Sequence, residues 1–503
     1  MKKKLMIFIV LASLPILTFA ACQKTDDKPK TGTPGETGQT ESGGTEEPPE
    51  LMEFVPADAG FGGYNFRLMG IEPFDSAWVG TQVSEIYSEA QTGELINDAV
   101  YMRNQTVEEL YNISISLVPL DGNRPENGNV ARRAIMSGDD MFDAALMAAV
   151  AIPTLLAQAV NMMEDMNRIP EIDFSKSWWN QNAVSELSVA NKLFIATGDI
   201  TLFSSMASAC LHMNQKLTQD FALDNPYELV RAGKWTWDKV YDMNKKVTRD
   251  LDGDGQMTRH DQWGMFWEDR NIRTTLLHSG ERITKKDADD MPYLAVSHDF
   301  SANIVQAMID TIFSREVSID CTNSPLLTGT DNHSTYWLPK FLAGEVLFSF
   351  AHFILGLNLR VMESDFAILP PPKFDENQDR YYTSTHPWWA TYLWVPTTNP
   401  DLARTGTILE ALGYYSRQYV TPAFIDTFTY KVARDEDSAE MMELIIDSQT
   451  HDIAYMYNWG DIFGIYDNSV LKWENRFASG FEAREGAVRA DMEKTINAIL
   501  GME

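Results

Sequence analysis

The chain has 503 residues, 41 basic and 72 acidic side chains and a formal charge of −31. So acidic a body is a poor partner for nucleic acid or for an anionic membrane face, since both repel it. Beyond an exported leader, about 450 residues remain, more than one hydrophobic core organises, which points to two or three domains.

Lys2, Lys3 and Lys4 precede an apolar run from Leu5 to Leu17, followed by Thr-Phe-Ala-Ala-Cys. A basic start, an apolar core and small residues before a cleavage point predict a signal peptide over 1–21, too short to span a membrane comfortably. Ala20-Ala21-Cys22 has the form of a bacterial lipobox, in which Cys22 becomes the lipidated mature N-terminus. Phe19 stands where Leu is commoner. The alternative is cleavage near Ala21 with Cys22 incidental. Residues 22–50 form the lipidated Cys and a tether without large apolar residues, which cannot bury a core. As a flexible coil it reaches roughly 30 Å. With Cys22 used for lipid, Cys210 and Cys321 remain, either as a disulfide or as two buried thiols; the second reading is preferred.

In the body, Tyr64–Gly70 alternates apolar and polar residues and predicts a strand. Glu85–Tyr111 carries Ile96, Val100, Val107 and Leu110 on one helical face, Asn112 can stop it in the left-handed region, and Ile113, Ile115 and Leu117 alternate as a strand. Strand, helix, strand opens an α/β domain. A helix over Val130–Met136 and a buried strand over Phe142–Met147 follow. Two adjacent tryptophans, Trp178 and Trp179, stand in a polar loop, and Leu193–Gly198 reads as a strand ending at Asp199. Further strands are expected at Val346–Phe350, Phe366–Pro370 and Trp388–Val395, with a helical tail from Ala403.

Between these lies an acidic loop. Asp250, Asp252 and Asp254 alternate, Gly255 follows, and Asp261 closes the loop at its twelfth position. That is calcium-loop spacing: ligands at positions 1, 3, 5 and 12, a backbone carbonyl at 7 (here Gln256) and Gly at 6 for the turn. Asp261 replaces the usual bidentate Glu. The alternative is a solvated acidic turn. Because Asp261-Gln-Trp-Gly-Met-Phe-Trp267 reads as a strand and not as a second helix, a bound Ca2+ is expected to brace the structure, without a sensor's opening motion.

Several stretches resemble bacterial extracytoplasmic solute-binding proteins of carbohydrate ABC importers, the maltose-binding-protein type, family 1. They are GELINDAVYMRNQTVEELYNI (93–113), IDFSKSWWNQN (172–182), LFIATGDI (193–200), NPYELVRAGKWTWDKV (225–240), DLDGDGQMTRHDQWG (250–264), DFAILPPPKFDENQ (365–378) and ARDEDSAEMMELI (433–445). The acidic loop departs from the family's shorter form, because Thr258, Arg259 and His260 intervene before Asp261. The resemblance implies an α/β, two-lobe periplasmic-binding-protein-like fold of type II with discontinuous lobes and an interlobe ligand cleft. Lobe I is placed at 51–200 plus 366–420 and lobe II at 201–365 plus 421–503, with crossings near Asp199, Asp365 and Val420. Hinge closure around the ligand belongs to this architecture.

The implied function is a lipid-anchored receptor on the extracytoplasmic face of the cell membrane. It captures a carbohydrate, an oligosaccharide, and delivers it to ABC permease subunits, acting as a monomer and not as an enzyme. Sugars present apolar faces and hydroxyl edges, so indoles and carboxylates suit them. Trp388, Trp389 and Trp459 lead the ligand-binding candidates, with Asp199, Asp143, Trp178 and Trp179 behind them; for each tryptophan, core packing is the competing reading. The other class is a secreted glycan-degrading or glycan-sensing lipoprotein. No His-Glu-x-x-His, Gly-x-Ser-x-Gly or phosphate-cradling loop favours chemistry, and the eight histidines lack metal-ligand spacing.

Overall fold

The structure, a computed structural model, describes residues 54–71, 83–122, 124–156, 162–433 and 436–501. The signal, Cys22 and the tether lie outside the described residues.

Two mixed sheets organise the body. The first is built from β1 (Tyr64–Ile71), β2 (Ile113–Leu120), β3 (Ala144–Ala148) and β9 (Thr391–Trp394), in the order β9-β3-β1-β2. β1 runs parallel to β2, from Tyr64 opposite Ile113 to Ile71 opposite Leu120, and parallel to β3; β9 is antiparallel to β3. The crossover between β1 and β2 is α1 (Leu95–Tyr111), which buries Ile96, Val100 and Val107 and stops at Asn112 with φ 49° and ψ 62°. After β2 comes α2 (Arg124–Ser137).

The second sheet contains β4 (Ala209–Asn214), β5 (Trp263–Trp267), β6 (Ser318–Asp320), β7 (Val346–His352) and β8 (Phe366–Leu369), in the order β8-β4-β7-β5-β6. β5 is parallel to both β6 and β7, while β4 is antiparallel to β7 and β8. β7 sits centrally and is buried at all seven positions, so it reads as a continuous apolar run instead of an alternation. α3 (Trp237–Val247) packs on β5 so closely that a Cβ on Gly264 would meet Asn244 Cα at 2.7 Å.

Chain crossings join the sheets. Leu193–Gly198 forms no regular strand; single bridges tie Ala196 to Leu393 and Gly198 to Trp179 before the chain enters β4. The strand Phe366–Leu369, expected in the first lobe, pairs with β4 in the second sheet, Phe366 opposite Asn214. The return expected near Asp365 therefore lies further on. Thr385 still bridges Ser208, and β9 begins only at Thr391, so the crossing occupies 383–390 and leaves Trp388 and Trp389 in its turn. A third connection is helical. α5 (Leu402–Tyr415) packs on α1 and continues through wide π-helical turns at Ser416–Val420 and Thr427–Ala433, the last packing on 357–361.

Candidate functional site

Parallel strands place ligands beyond their C-terminal ends, where loops and helix starts converge. Beyond β3 stand Ala149 and Val150; beyond β5 stand Glu268, Asp269 and Arg270. Ala149, Val150, Asp269 and Arg270, together with Trp388, Tyr455 and Asp467, wall a cavity of about 370 Å³. α4 (Arg270–His278) supplies Arg273, and α6 (Phe463–Leu471) supplies Asp467.

Trp388 is the platform of this cleft. The residue is 38 % exposed, the one tryptophan among the exposed large apolar residues of the described chain, and the Arg270 guanidinium lies 5.9 Å from its ring centroid. The backbone is fixed at both sides: the Trp388 N–H donates to His386 Nδ1 at 3.3 Å, and Arg124 Nη1 donates to the Trp388 carbonyl. Arg124 also lies 4.6 Å over the Trp389 ring. Burial lowers its guanidinium to about 10, against the pull of Glu85, so a cation is spent on holding the platform. The His386 and His352 rings pack at a tilt of 31° nearby, centroids 4.8 Å apart. Burial holds His386 well below the usual imidazole range, with His352 acting in the same direction.

Opposite the platform, Arg273 donates to Asp467 Oδ2 at 2.6 and 2.9 Å, and the Tyr455 hydroxyl donates to the Arg273 carbonyl. Asp467 Oδ1 and Asp269 Oδ1 are buried with no donor. Burial raises the carboxyls of Asp467 and Glu268. A buried acceptor without a donor is costly, and the chemistry of this cleft suits a ligand with hydroxyl or N–H groups on one edge and an apolar face for the indole.

The sequence candidates fall in different places. Trp388 lines the cleft and Trp389 backs it beneath Arg124. Trp459 does not reach it: 3 % exposed, it donates Nε1 to Thr495 Oγ1 at 2.8 Å and stacks on Tyr457. Asp143 is fully buried at the start of β3, the opposite end of the sheet. There it accepts from Tyr64 Oη and the Arg67 N–H at 2.7 Å each and pairs with Arg67 Nη2 at 3.0 Å. Asp199, Trp178 and Trp179 gather instead around a separate polar cavity of about 300 Å³ beside Arg417 and Gln449. Both indoles are 1 % exposed, with Trp179 Nε1 donating to Glu410 at 3.0 Å. Burial pushes Asp199 up to about 6 while Arg417, 3.7 Å away, opposes it. Asp269, Arg270, Arg273, Tyr455 and Asp467 were missed by sequence. The available signal was Glu268-Asp-Arg270, charges set directly after an apolar strand.

In the acidic loop, Asp250, Asp252 and Asp254 each bring an oxygen to within 4.8 Å of the others. Asp250 also accepts from the Gly253 and Gly255 N–H groups, 2.7 Å each, where φ is 76° and 83°. Asp261 departs from the expected twelfth ligand. It is 2 % exposed and accepts from Leu251 N, Thr258 N and Thr258 Oγ1, outside the cluster. Gln256 donates its N–H to Asp254 Oδ1 at 2.7 Å. Three carboxylates thus fit a hard cation, and the loop leads into β5, not into a second helix. Cys210 and Cys321 are free, and no helix of the described residues is long and apolar enough to cross a membrane.

No family model matches the sequence, and no curated protein does. Solved structures do. The galacto-N-biose-/lacto-N-biose I-binding protein of the ABC transporter from Bifidobacterium longum, in complex with lacto-N-biose, superposes with a TM-score of 0.57 at 11 % identity, covering 86 % of this chain and 98 % of that one. UgpB from Mycobacterium tuberculosis, in complex with glycerophosphocholine, gives 0.52 at 11 % identity over 86 % of this chain and 100 % of that one. A cyclo/maltodextrin-binding protein complexed with maltotetraose gives 0.50 at 12 % identity over 89 % and 98 %. The chain has the two-lobe, periplasmic-binding-protein-like α/β fold with mixed sheets.

Proposed function

We propose that this chain is an extracytoplasmic solute-binding protein that captures an oligosaccharide in the cleft at Trp388 and delivers it to an ABC importer. One observation carries the reading: an exposed indole shares one cavity wall with Asp269 and Asp467, each of which has a buried carboxylate oxygen with no donor. A sugar ring supplies an apolar face to the first and hydroxyl hydrogens to the second. The sugar-bound neighbours agree with it. Capture proceeds without turnover, by closure of a monomer's lobes, one carrying β1–β3 and β9 and the other β4–β8.

In the same proposal the signal directs export, Cys22 carries the lipid anchor, and the tether holds the body off the membrane for permease docking. Asp250, Asp252 and Asp254 hold a calcium ion that braces the turn between α3 and β5; hard oxygen ligands supply that chemistry.

The deciding experiment is a thermal-shift and calorimetric screen of the exported body against oligosaccharide ladders. Saturable binding that is lost in Trp388→Ala, with no released product, supports the reading. Cleavage of a bound glycan, or no shift with any ladder, defeats it.

A further inference from the structure

Trp473 occupies a backbone position that suits glycine. Its φ is 57°. Its N–H bonds to the Val470 carbonyl at 3.0 Å, and the Glu474 N–H bonds to the Ser469 carbonyl at 3.0 Å, the pattern in which a left-handed residue closes a helix. A side chain is disfavoured there, yet this one is the largest available and is held by Arg315, 4.2 Å over its ring. Strain at a single position calls for a reason in what the side chain touches.

What it touches is a chamber of about 320 Å³, lined also by Trp263, Trp267, Phe313, Asp320 and Asn323. Trp267 is 2 % exposed, lines the chamber and has a buried Nε1 with no acceptor. The chamber adjoins the cleft: Leu471 forms part of both walls, and Asn323 Nδ2, on the chamber side, lies 3.4 Å from Asp269 Oδ2 on the cleft side. Chamber and cleft each have the volume of a small-molecule site.

We propose that this chamber is a second sugar subsite, which takes one ring of the oligosaccharide whose neighbouring ring lies on Trp388. The inference rests on the carbohydrate reading of the cleft and adds to it a minimum ligand length and a direction of growth, from Trp388 past Leu471 towards Trp473. The occupant has to offer an apolar face to the Trp473 indole and an acceptor to the Trp267 N–H. A pyranose does both, whereas a hydrocarbon leaves the buried N–H unpaired.

The test is calorimetric titration of the full exported chain with three ladders: maltose to maltohexaose, cellobiose to cellohexaose and xylobiose to xylohexaose. In the natural protein, affinity rises at the length that first reaches the chamber. Trp473→Gly removes that step, weakening the longer sugars ten-fold or more and leaving the shorter ones unchanged. Because glycine suits the backbone there, its melting temperature stays near that of the natural protein. Ser324→Tyr, which fills the chamber from another wall, removes the same step. Equal weakening at every length, or an unchanged length dependence in both variants, overturns the subsite and leaves the cleft reading standing. Absence of binding to all three ladders by the natural protein overturns both.

Discussion

Asp467 is joined to Arg273 at 2.6 Å through one oxygen only, and its other oxygen is buried in the cleft wall without a donor. Burial raises the Asp467 carboxyl and Arg273 opposes the rise, while in the proposed site the second oxygen is the one left to accept from a sugar hydroxyl. Asp467→Asn keeps the shape and removes the charge. We expect it to weaken sugar binding about ten- to a hundred-fold, corresponding to about 1.5–3 kcal/mol for a hydrogen bond to a charged group. Titration calorimetry checks this; an unchanged Kd removes Asp467 from the ligand.

Asp199 gives a pH prediction of defined sign. Burial raises its folded-state pKa to about 6, above the ordinary carboxyl value of 3.8, so between these values the folded chain holds more protons than the unfolded chain. Its contribution to stability is full below the ordinary value and is lost as pH rises through 6. Asp199→Asn should stabilise the protein at pH 7 by about 1–2 kcal/mol, after a discount from the full shift because Arg417 loses its partner. The gain should vanish near pH 4. Paired urea unfolding curves at the two pH values read it, and a gain independent of pH contradicts the burial.

Removal of the proposed calcium lowers the melting temperature. An ion at a hundred times its Kd contributes about 2.7 kcal/mol to the folded state, so a chelator should shift melting by several degrees, reversed by added calcium. In Asp250→Asn/Asp252→Asn the chelator should have no effect. An unchanged melting curve in the natural protein leaves the loop as an acidic turn.

Gly198 marks the crossing at its tightest point. A Cβ there would lie 2.2 Å from the Trp178 carbonyl oxygen and 3.0 Å from Trp179 Cα, and both neighbours are backbone atoms that cannot swing aside. Gly198→Ala should cost about 1–3 kcal/mol by overpacking, seen as a lower urea midpoint.

Sequence pattern resolved much of the architecture and less of the site. The strands 64–71, 113–120 and 144–148 were legible because parallel, buried strands with a crossover helix leave a strong period, and Asn112 announced its own stop. Strand Phe366–Leu369 was seen as a strand but given to the wrong sheet, since its apolar run is the same whichever neighbour it pairs with. Trp459 was indistinguishable in promise from Trp388 on sequence, one in a turn and the other opening an expected strand, and only the Thr495 hydroxyl and the Tyr457 ring reveal that Trp459 is packed. Asp269 and Asp467 lie far apart in the chain, and no local pattern could bring them to one wall.

The second crossing carries a further consequence. Trp388 is tied by its carbonyl to Arg124 at the start of α2, while its ring looks across to Arg270 at the start of α4. Rotation of one sheet against the other therefore alters the separation between an indole and a guanidinium, in a chain where the other described tryptophans are wholly or partly shielded from water. If the proposed closure occurs, the solvent-exposed Trp388 is the indole whose surroundings change with it, so the difference in emission between the natural protein and Trp388→Phe reads the movement without an added label.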